Sequence, residues 1–239
     1  MSPTTLNTAI NPAGRGIGFA IPSDTLKEVL PQLVSRGSVS RGKIGVVVQP
    51  IDDAIAKALH MDKPHGALVA ELQSGSPGAK AGLKPGDVIT AVDGSAISES
   101  KDLPKLVAKH APGSKVTLQV LRDGKSKDVI LELGEMKDDV EASEDEKSSK
   151  PEPSSTAKPK FGLELRDAKG GGALISKTSP GGAASDATFP GDVIVQIDGK
   201  PVQNARDAAK FLDEVKHGAS LLLQIKRDGK TRFVGIAAP

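Results

Sequence analysis

Pro85-Gly86-Asp87-Val88-Ile89 recurs as Pro190-Gly191-Asp192-Val193-Ile194, 105 residues further along a chain of 239. The same spacing joins Asp93-Gly94 to Asp198-Gly199. It also joins Arg122-Asp123-Gly124-Lys125 to Arg227-Asp228-Gly229-Lys230. Three separate matches at one spacing describe a duplication. Gly66-Ala67-Leu68-Val69 stands 106 residues from Gly172-Ala173-Leu174-Ile175, and Ser76-Pro77 stands 103 from Ser179-Pro180. The drift places insertions in connections, where they are tolerated. A period this long means duplicated domains rather than a stacked solenoid. The chain has room for two modules of about 100 residues each.

Working outward, copy one reads as a series of short elements. Lys43–Gln49 is rich in β-branched residues and predicts a strand. Asp53–Leu59 predicts one or two helical turns, and Gly66–Leu72 a second strand. Ser76-Pro77 opens a short helix, with Ser as N-cap and Pro in the first turn. Pro85-Gly86 is a turn signal, followed by a strand over Asp87–Val92. Leu103, Leu106, Val107 and His110 form an apolar stripe at helical spacing, so Ser100–Lys109 predicts an amphipathic helix with Pro104 in its first turn. Val116–Leu121 and Asp128–Leu133 flank Asp123-Gly124 as a hairpin. Copy two repeats the order without the Asp53–Leu59 helix. Its strands are Phe161–Leu165, Gly172–Lys177, Asp192–Ile197 and those flanking Asp228-Gly229, with a helix over Asp207–Val215. The fold class is α+β: two partly open, five-stranded barrels, each with two helices.

Between the copies the composition changes. Residues 135–146 hold seven acids and one Lys, and residues 147–160 hold four Lys, one Glu and three Pro. Such a stretch lacks the apolar surface to offset its ordering entropy, so 135–159 is expected to be a flexible charged linker.

The whole composition excludes several functions. Aromatic residues are 2%, with five Phe and neither Trp nor Tyr, too few for a nucleic-acid stacking platform. A net charge of +2 gives no basic excess to neutralise phosphates, so nucleic acid is not an expected partner. Cysteine is absent, which removes disulfides, thiolate metal sites and thiol catalysis. No stretch has the ~18 consecutive apolar residues of a membrane span. Residues 1–10 show no charged start and no apolar run, so no export signal is expected. His60, His65, His110 and His217 read as surface or helix-end residues, and His60 and His65 have no carboxylate or Cys at ligand spacing. No metal and no cofactor is expected.

This order of elements, with Arg41-Gly42-Lys43-Ile44-Gly45-Val46, Gly66-Ala67-Leu68-Val69, Gly75-Ser76-Pro77 and Ala81-Gly82-Leu83-Lys84-Pro85-Gly86-Asp87-Val88-Ile89, resembles a PDZ domain of the bacterial HtrA/Deg protease family. Copy two resembles it through Phe161-Gly162-Leu163-Glu164-Leu165 and Pro190-Gly191-Asp192-Val193-Ile194. It departs at Ser185-Asp186-Ala187-Thr188-Phe189, where the family has Ala-Gly-Leu. Leu6–Ile10 and Gly16–Ser23 resemble the last strands of a trypsin-like domain, and Asp24–Arg36 its connecting helix. The resemblance divides the chain into a protease-domain remnant over 1–40, PDZ domains over 41–134 and 160–239, and the linker over 135–159. It also implies a Gly-Asn-Ser-Gly-Gly-Pro segment carrying the catalytic Ser, which this sequence does not contain. No catalytic residue is therefore expected on this chain.

A PDZ domain implies binding by strand addition, with a peptide lying between a sheet edge and a helix. Its terminal carboxylate needs backbone N–H groups converging in a concavity, and such a loop favours Gly. Gly42-Lys43-Ile44-Gly45-Val46 has that composition ahead of a strand. The N–H groups of Ile44, Gly45 and Val46 are assigned to the carboxylate, with Arg41 or Lys43 adding field. Val46 and Val48 alternate on the edge strand, and Leu103 with Val107 completes an apolar pocket. Ile44, Val46, Leu103 and Val107 would be apolar for core reasons alone, and the loop carries the functional weight. The corresponding loop of copy two is Lys160-Phe161-Gly162-Leu163, with Phe161 at the mouth of a narrower or shut site and Ala208, Phe211 and Leu212 on its helix. Three functions follow: a tandem module capturing polypeptide C-termini or unfolded segments for quality control, part of an active HtrA-like serine endopeptidase, or a module for self-association into cages. The family implies the bacterial periplasm; without an export signal the cytoplasm stays open.

Overall fold

A computed structural model describes residues 5–10, 18–22, 27, 30, 33, 34, 37, 39–135 and 161–238. The linker residues 136–159, Lys160 and most of Asp24–Arg36 lie outside the described residues. The chain divides into two units, Met1–Arg41 and Gly42–Pro239. In the first, β1 (Thr5–Ile10) and β2 (Gly18–Pro22) pair antiparallel in a two-stranded sheet of their own, with a register shift between Asn7 and Ala9.

The second unit holds both copies. In copy one the strands are β3 (Gly42–Lys43), β4 (Val46–Gln49), β5 (Ala67–Leu72), β6 (Val88–Val92), β7 (Ser95–Ala96), β8 (Lys115–Arg122), β9 (Lys125–Glu132) and β10 (Gly134–Glu135). The helices are α1 (Asp53–Ala58), α2 (Pro77–Lys80) and α3 (Asp102–Ala108). The sheet runs β4-β5-β6-β8-β9, β7 adds to β6, and β3 pairs with β10. Copy two has β11 (Leu163–Asp167), β12 (Ala173–Thr178), β13 (Val193–Ile197), β14 (Lys200–Pro201), α4 (Ala205–Asp213), β15 (Ser220–Arg227) and β16 (Lys230–Ala237). Its sheet runs β11-β12-β13-β15-β16 with β14 on β13. Neither sheet closes.

Local chemistry explains most boundaries. Asp52 and Ser76 cap α1 and α2 by accepting from Ile55 N and Ala79 N. Pro104 sits in the first turn of α3, where its missing N–H costs nothing. The Asp-Gly turns have positive φ at both residues, as at Asp123 (50°) and Gly124 (72°), the backbone that matches strand twist in a two-residue hairpin. The strand expected over Lys43–Gln49 is instead two strands. It breaks at Ile44-Gly45, where Gly45 has φ +77°. Copy two has turns where copy one has α2, so only one helix of the expected two forms there.

The repeated motif is a clip. Asp87, 1% exposed, receives Arg122 Nε at 2.6 Å and Nη2 at 2.7 Å, and its Oδ2 also accepts Lys84 N–H at 2.8 Å. Arg122 Nη2 donates to Gly82 O at 2.9 Å. Asp192 receives Arg227 at 2.6 and 2.7 Å, and Phe189 N–H at 2.8 Å. Each pair fastens the Pro-Gly-Asp turn to the strand that ends in Arg-Asp-Gly. The carboxylates hold both guanidinium groups above the ordinary arginine pKa through these hydrogen bonds.

Each copy has its own core. In copy one it includes Ile44, Val69, Ile89, Leu103, Val107 and Leu118; in copy two Phe161, Leu165, Ile175, Ile194, Leu212 and Leu223. A third cluster joins the copies. Ile55, Ala58, Leu68 and Val88 of copy one pack with Leu222 and Phe233 of copy two. The Gln49 side-chain amide clasps Phe233: its Nε2 donates to Phe233 O at 3.0 Å, and its Oε1 accepts Phe233 N–H at 2.8 Å. The domains are therefore docked against each other as well as joined by the linker. The first domain also runs one residue past the expected boundary, since Glu135 pairs with Gly42.

Candidate functional site

The loop before β4 owes its shape to its neighbours. Gly42 N–H donates to His110 O at 3.1 Å. A Cβ on Gly42 would lie 2.5 Å from Leu133 Cδ1 and 3.0 Å from His110 O, so this glycine serves close packing. The Ile44 side chain is buried in the core, and Ile44 O accepts Gly78 N–H at 2.9 Å. Gly45 O accepts Gln73 N–H at 3.0 Å. A Cβ on Gly45 would run into Ser76, the cap of α2, and φ there is positive, so Gly45 is required twice over. Substituting it tests packing as much as binding. The N–H groups of Ile44 and Gly45 donate to no described residue.

Register decides which groups of β4 face the free edge. In an antiparallel pair, bonds flanking a wide pair leave that pair's own N–H and C=O pointing outward. The bond from Gln73 N–H to Gly45 O makes Val46↔Leu72 such a pair. Val69 bonds toward β6 instead, donating to Asp87 O and accepting from Gly86 N–H. Val48↔Val69 is therefore wide as well. Val46 and Val48 offer N–H and C=O to the open edge, while their side chains pack on the core. Leu103 and Val107, buried at 3% and 5% on α3, belong to the same cluster. Ile44, Val46, Val48, Leu103 and Val107 thus share one apolar cluster, with Gly45 in the chain between Ile44 and Val46. Lys43 is half-exposed in β3, and Arg41 is exposed beside it.

Copy two repeats this main chain. Ser179 N–H donates to Gly162 O at 2.7 Å, and Ala184 N–H to Phe161 O at 3.4 Å. Leu163↔Thr178 and Leu165↔Ile175 are its wide pairs. The side chains differ. Phe161 does not sit at the mouth; it is 1% exposed and fills Ile44's place in the core. An aromatic ring beside the Gly162 turn finds more apolar contact inside than at the edge. Leu163 and Leu165 are 3% and 2% exposed, where Val46 and Val48 stay partly open. Helix α4 packs on β11, and Asp167 Oδ1 ties down Ala205 N–H at 2.8 Å. Ala208 and Leu212 are buried, with Phe211 half-buried against them. Copy two thus has the same edge-strand main chain, with edge-strand side chains buried more deeply than those of copy one.

Sequence reasoning missed the Asp–Arg clips and the docking face. The face had a signal: Ala67, Leu68, Val69 and Ala70 are apolar in succession and all buried, which means cover on both sides of the strand. No group of His, Asp or Glu placed to hold a metal occurs among the described residues. No helix of the described residues is long and apolar enough to cross a membrane.

A model of the PDZ domain matches residues 42–133 and again 159–237. The probable periplasmic serine endoprotease DegP-like of Hahella chejuensis is 35% identical over 228 residues, covering 92% of this chain and 48% of the relative. The protein of the same description from Brucella suis is 37% identical over 238 residues, covering 97% and 46%. The chain spans about half the length of these curated relatives. Among solved structures, the HtrA-type protease AlgW with tripeptide is 35% identical, with a TM-score of 0.51 over 56% of this chain and 45% of its own. A variant of that protease with a decapeptide is 33% identical, with a TM-score of 0.51 over 58% and 43%.

Proposed function

This chain belongs to the PDZ-domain family, and from that premise we propose that its first domain captures polypeptide C-termini by strand addition to β4. One observation carries the reading. The N–H groups of Ile44, Gly45 and Val46 are turned away from the fold's own acceptors, in a glycine loop at the head of an open edge. Several N–H groups in one concavity attract a carboxylate. Leu103 and Val107 beside Val46 and Val48 favour an apolar last residue. The AlgW structures with tripeptide and decapeptide support peptide as the ligand class. Strand addition with one pocket gives micromolar affinity, about −8 kcal/mol. The deeper burial of Leu163 and Leu165 beside the helix of copy two favours ligand capture by copy one.

The relatives, described as periplasmic serine endoproteases and about twice as long, favour a wider role. In this reading the tandem domains deliver captured C-termini or unfolded segments to a periplasmic endoprotease for quality control. The testing experiment titrates the full chain with a peptide ending in an apolar residue, as free acid and as C-terminal amide. The acid should bind at least ten-fold tighter, about 1.4 kcal/mol. Equal binding overturns the reading.

A further inference from the structure

We propose that the second domain completes the first domain's ligand site, so that the fourth residue from a ligand's C-terminus is read at the seam between the domains. The inference rests on the strand-addition reading and adds a subsite to it.

A ligand whose carboxylate lies at Ile44–Val46 runs antiparallel to β4, toward Gln49. Val48 offers its N–H and C=O to the free edge, so the ligand's third-from-last residue sits opposite Val48. The penultimate residue then sits opposite Val47, and the fourth-from-last opposite Gln49. Successive side chains alternate between faces. The last and third-from-last residues turn inward with Val46 and Val48. The other two turn outward with Val47 and Gln49.

The second domain is docked on that outer face. Gln49 lies opposite Leu68, and Leu68 is in the cluster formed with Leu222 and Phe233. Both main-chain groups of Phe233 are bonded to the Gln49 side chain. Beside it, Val47 leaves an apolar side chain 48% exposed. A fourth-from-last residue therefore meets a Gln49 side chain fixed by the second domain, next to that domain's edge strand. Pro50 follows directly and has no N–H, so the ladder on β4 cannot continue as a full pairing. Recognition through β4 is thus about four residues long, and its last position depends on docking. The fitting side chain is β-branched or aromatic, the kind that gains most from a cross-strand neighbour.

Gly235 supplies a clean perturbation. A Cβ there would meet the backbone of Ala54 and Ile55 across the seam, with Ile55 N at 2.6 Å. Gly235→Val should therefore part the domains while leaving the loop before β4 untouched. The probes are a free-acid tripeptide and two tetrapeptides that add Val or Gly at the fourth-from-last position. On the intact chain the Val tetrapeptide should bind roughly 3- to 5-fold tighter than the Gly one. In Gly235→Val that ratio should fall to near 1 with tripeptide affinity unchanged. Faster exchange of the Phe233 amide hydrogen reports the parting. Gln49→Ala, which removes both bonds without adding bulk, should collapse the same ratio. A ratio near 1 on the intact chain, or one that survives in both variants, overturns the inference. Equal binding of the tripeptide acid and its amide would instead sink the strand-addition reading itself.

Discussion

Replacing Asp87 by Asn keeps the shape of a buried side chain and removes the charge on which the first clip depends. The wild-type carboxylate accepts two hydrogen bonds from Arg122 and one from Lys84 N–H. Asn retains one oxygen, which still faces both Lys84 N–H and Arg122 Nη2, while its amide hydrogens confront Nε. One charge-assisted bond is lost and the other gives up its charge assistance, where each intact bond is worth about 1.5–3 kcal/mol. Arg122 is not left stranded, because its side chain is 23% exposed and keeps Gly82 O. The loss should therefore lie toward the lower end, about 3 kcal/mol, within the range for breaking a buried pair. For a cooperative unit of this size that is about 6–12 °C in Tm. Without Trp or Tyr, far-UV circular dichroism with urea is the suitable assay. The midpoint should fall with unchanged slope. Asp192→Asn, which breaks the matching clip, should cost a similar amount. A loss under about 1 kcal/mol in both would place the clips with ordinary surface ion pairs and refute the reasoning.

Burial raises the Asp198 carboxyl above its ordinary 3.8, outweighing the opposing pull of Leu222 N–H, Lys200 and His60. The folded state therefore binds this proton more tightly than the unfolded one, and the group's stabilising contribution fades as pH rises through the folded value. Asp198→Asn, which still accepts from Leu222 N–H, should raise Tm at neutral pH, and the gain should vanish below the unfolded value; a gain that persists unchanged in acid contradicts this. Asp167→Ala frees the N–H of Ala205 at the start of α4 and should cost about 1 kcal/mol in urea unfolding, as helix-cap losses do. Ile130, 67% exposed on β9, should tolerate Thr within about 0.5 kcal/mol by the same measurement.

The duplication and the turns could be read from the sequence because they depend on short-range chemistry. Asp-Gly demands positive φ wherever it stands, and Ser76-Pro77 caps a helix from its own neighbours. The close-packed glycine loop proposed to hold a carboxylate was visible for the same reason, in the spacing of Gly42 and Gly45. Two features needed the third dimension. Asp87 and Arg122 recur as separate motifs, and nothing along the chain says that they meet. Leu68 and Val88 look like core in either domain, so the surface that joins the domains is invisible until the sheet's two faces are assigned. Phe161 shows how composition misleads: an aromatic beside a binding loop suggests a gate, yet apolar contact draws its ring inward.

The two copies share a main chain and differ in what fills the space beside it. Gly45 and Gly162 accept through equivalent carbonyls, and both edge strands turn the same alternate residues outward. Backbone geometry alone would give both domains the same capacity. The difference lies in side-chain volume and one tether. Val46 and Val48 are smaller than Leu163 and Leu165, and Asp167 binds the second helix to its edge strand where the first domain has Pro50. One residue earlier, Gln49 reaches across to the second domain where copy two has Arg166. Duplication kept this main chain twice, and the proposed division of labour, capture by the first copy with the second docked beside it, rests on these side-chain differences.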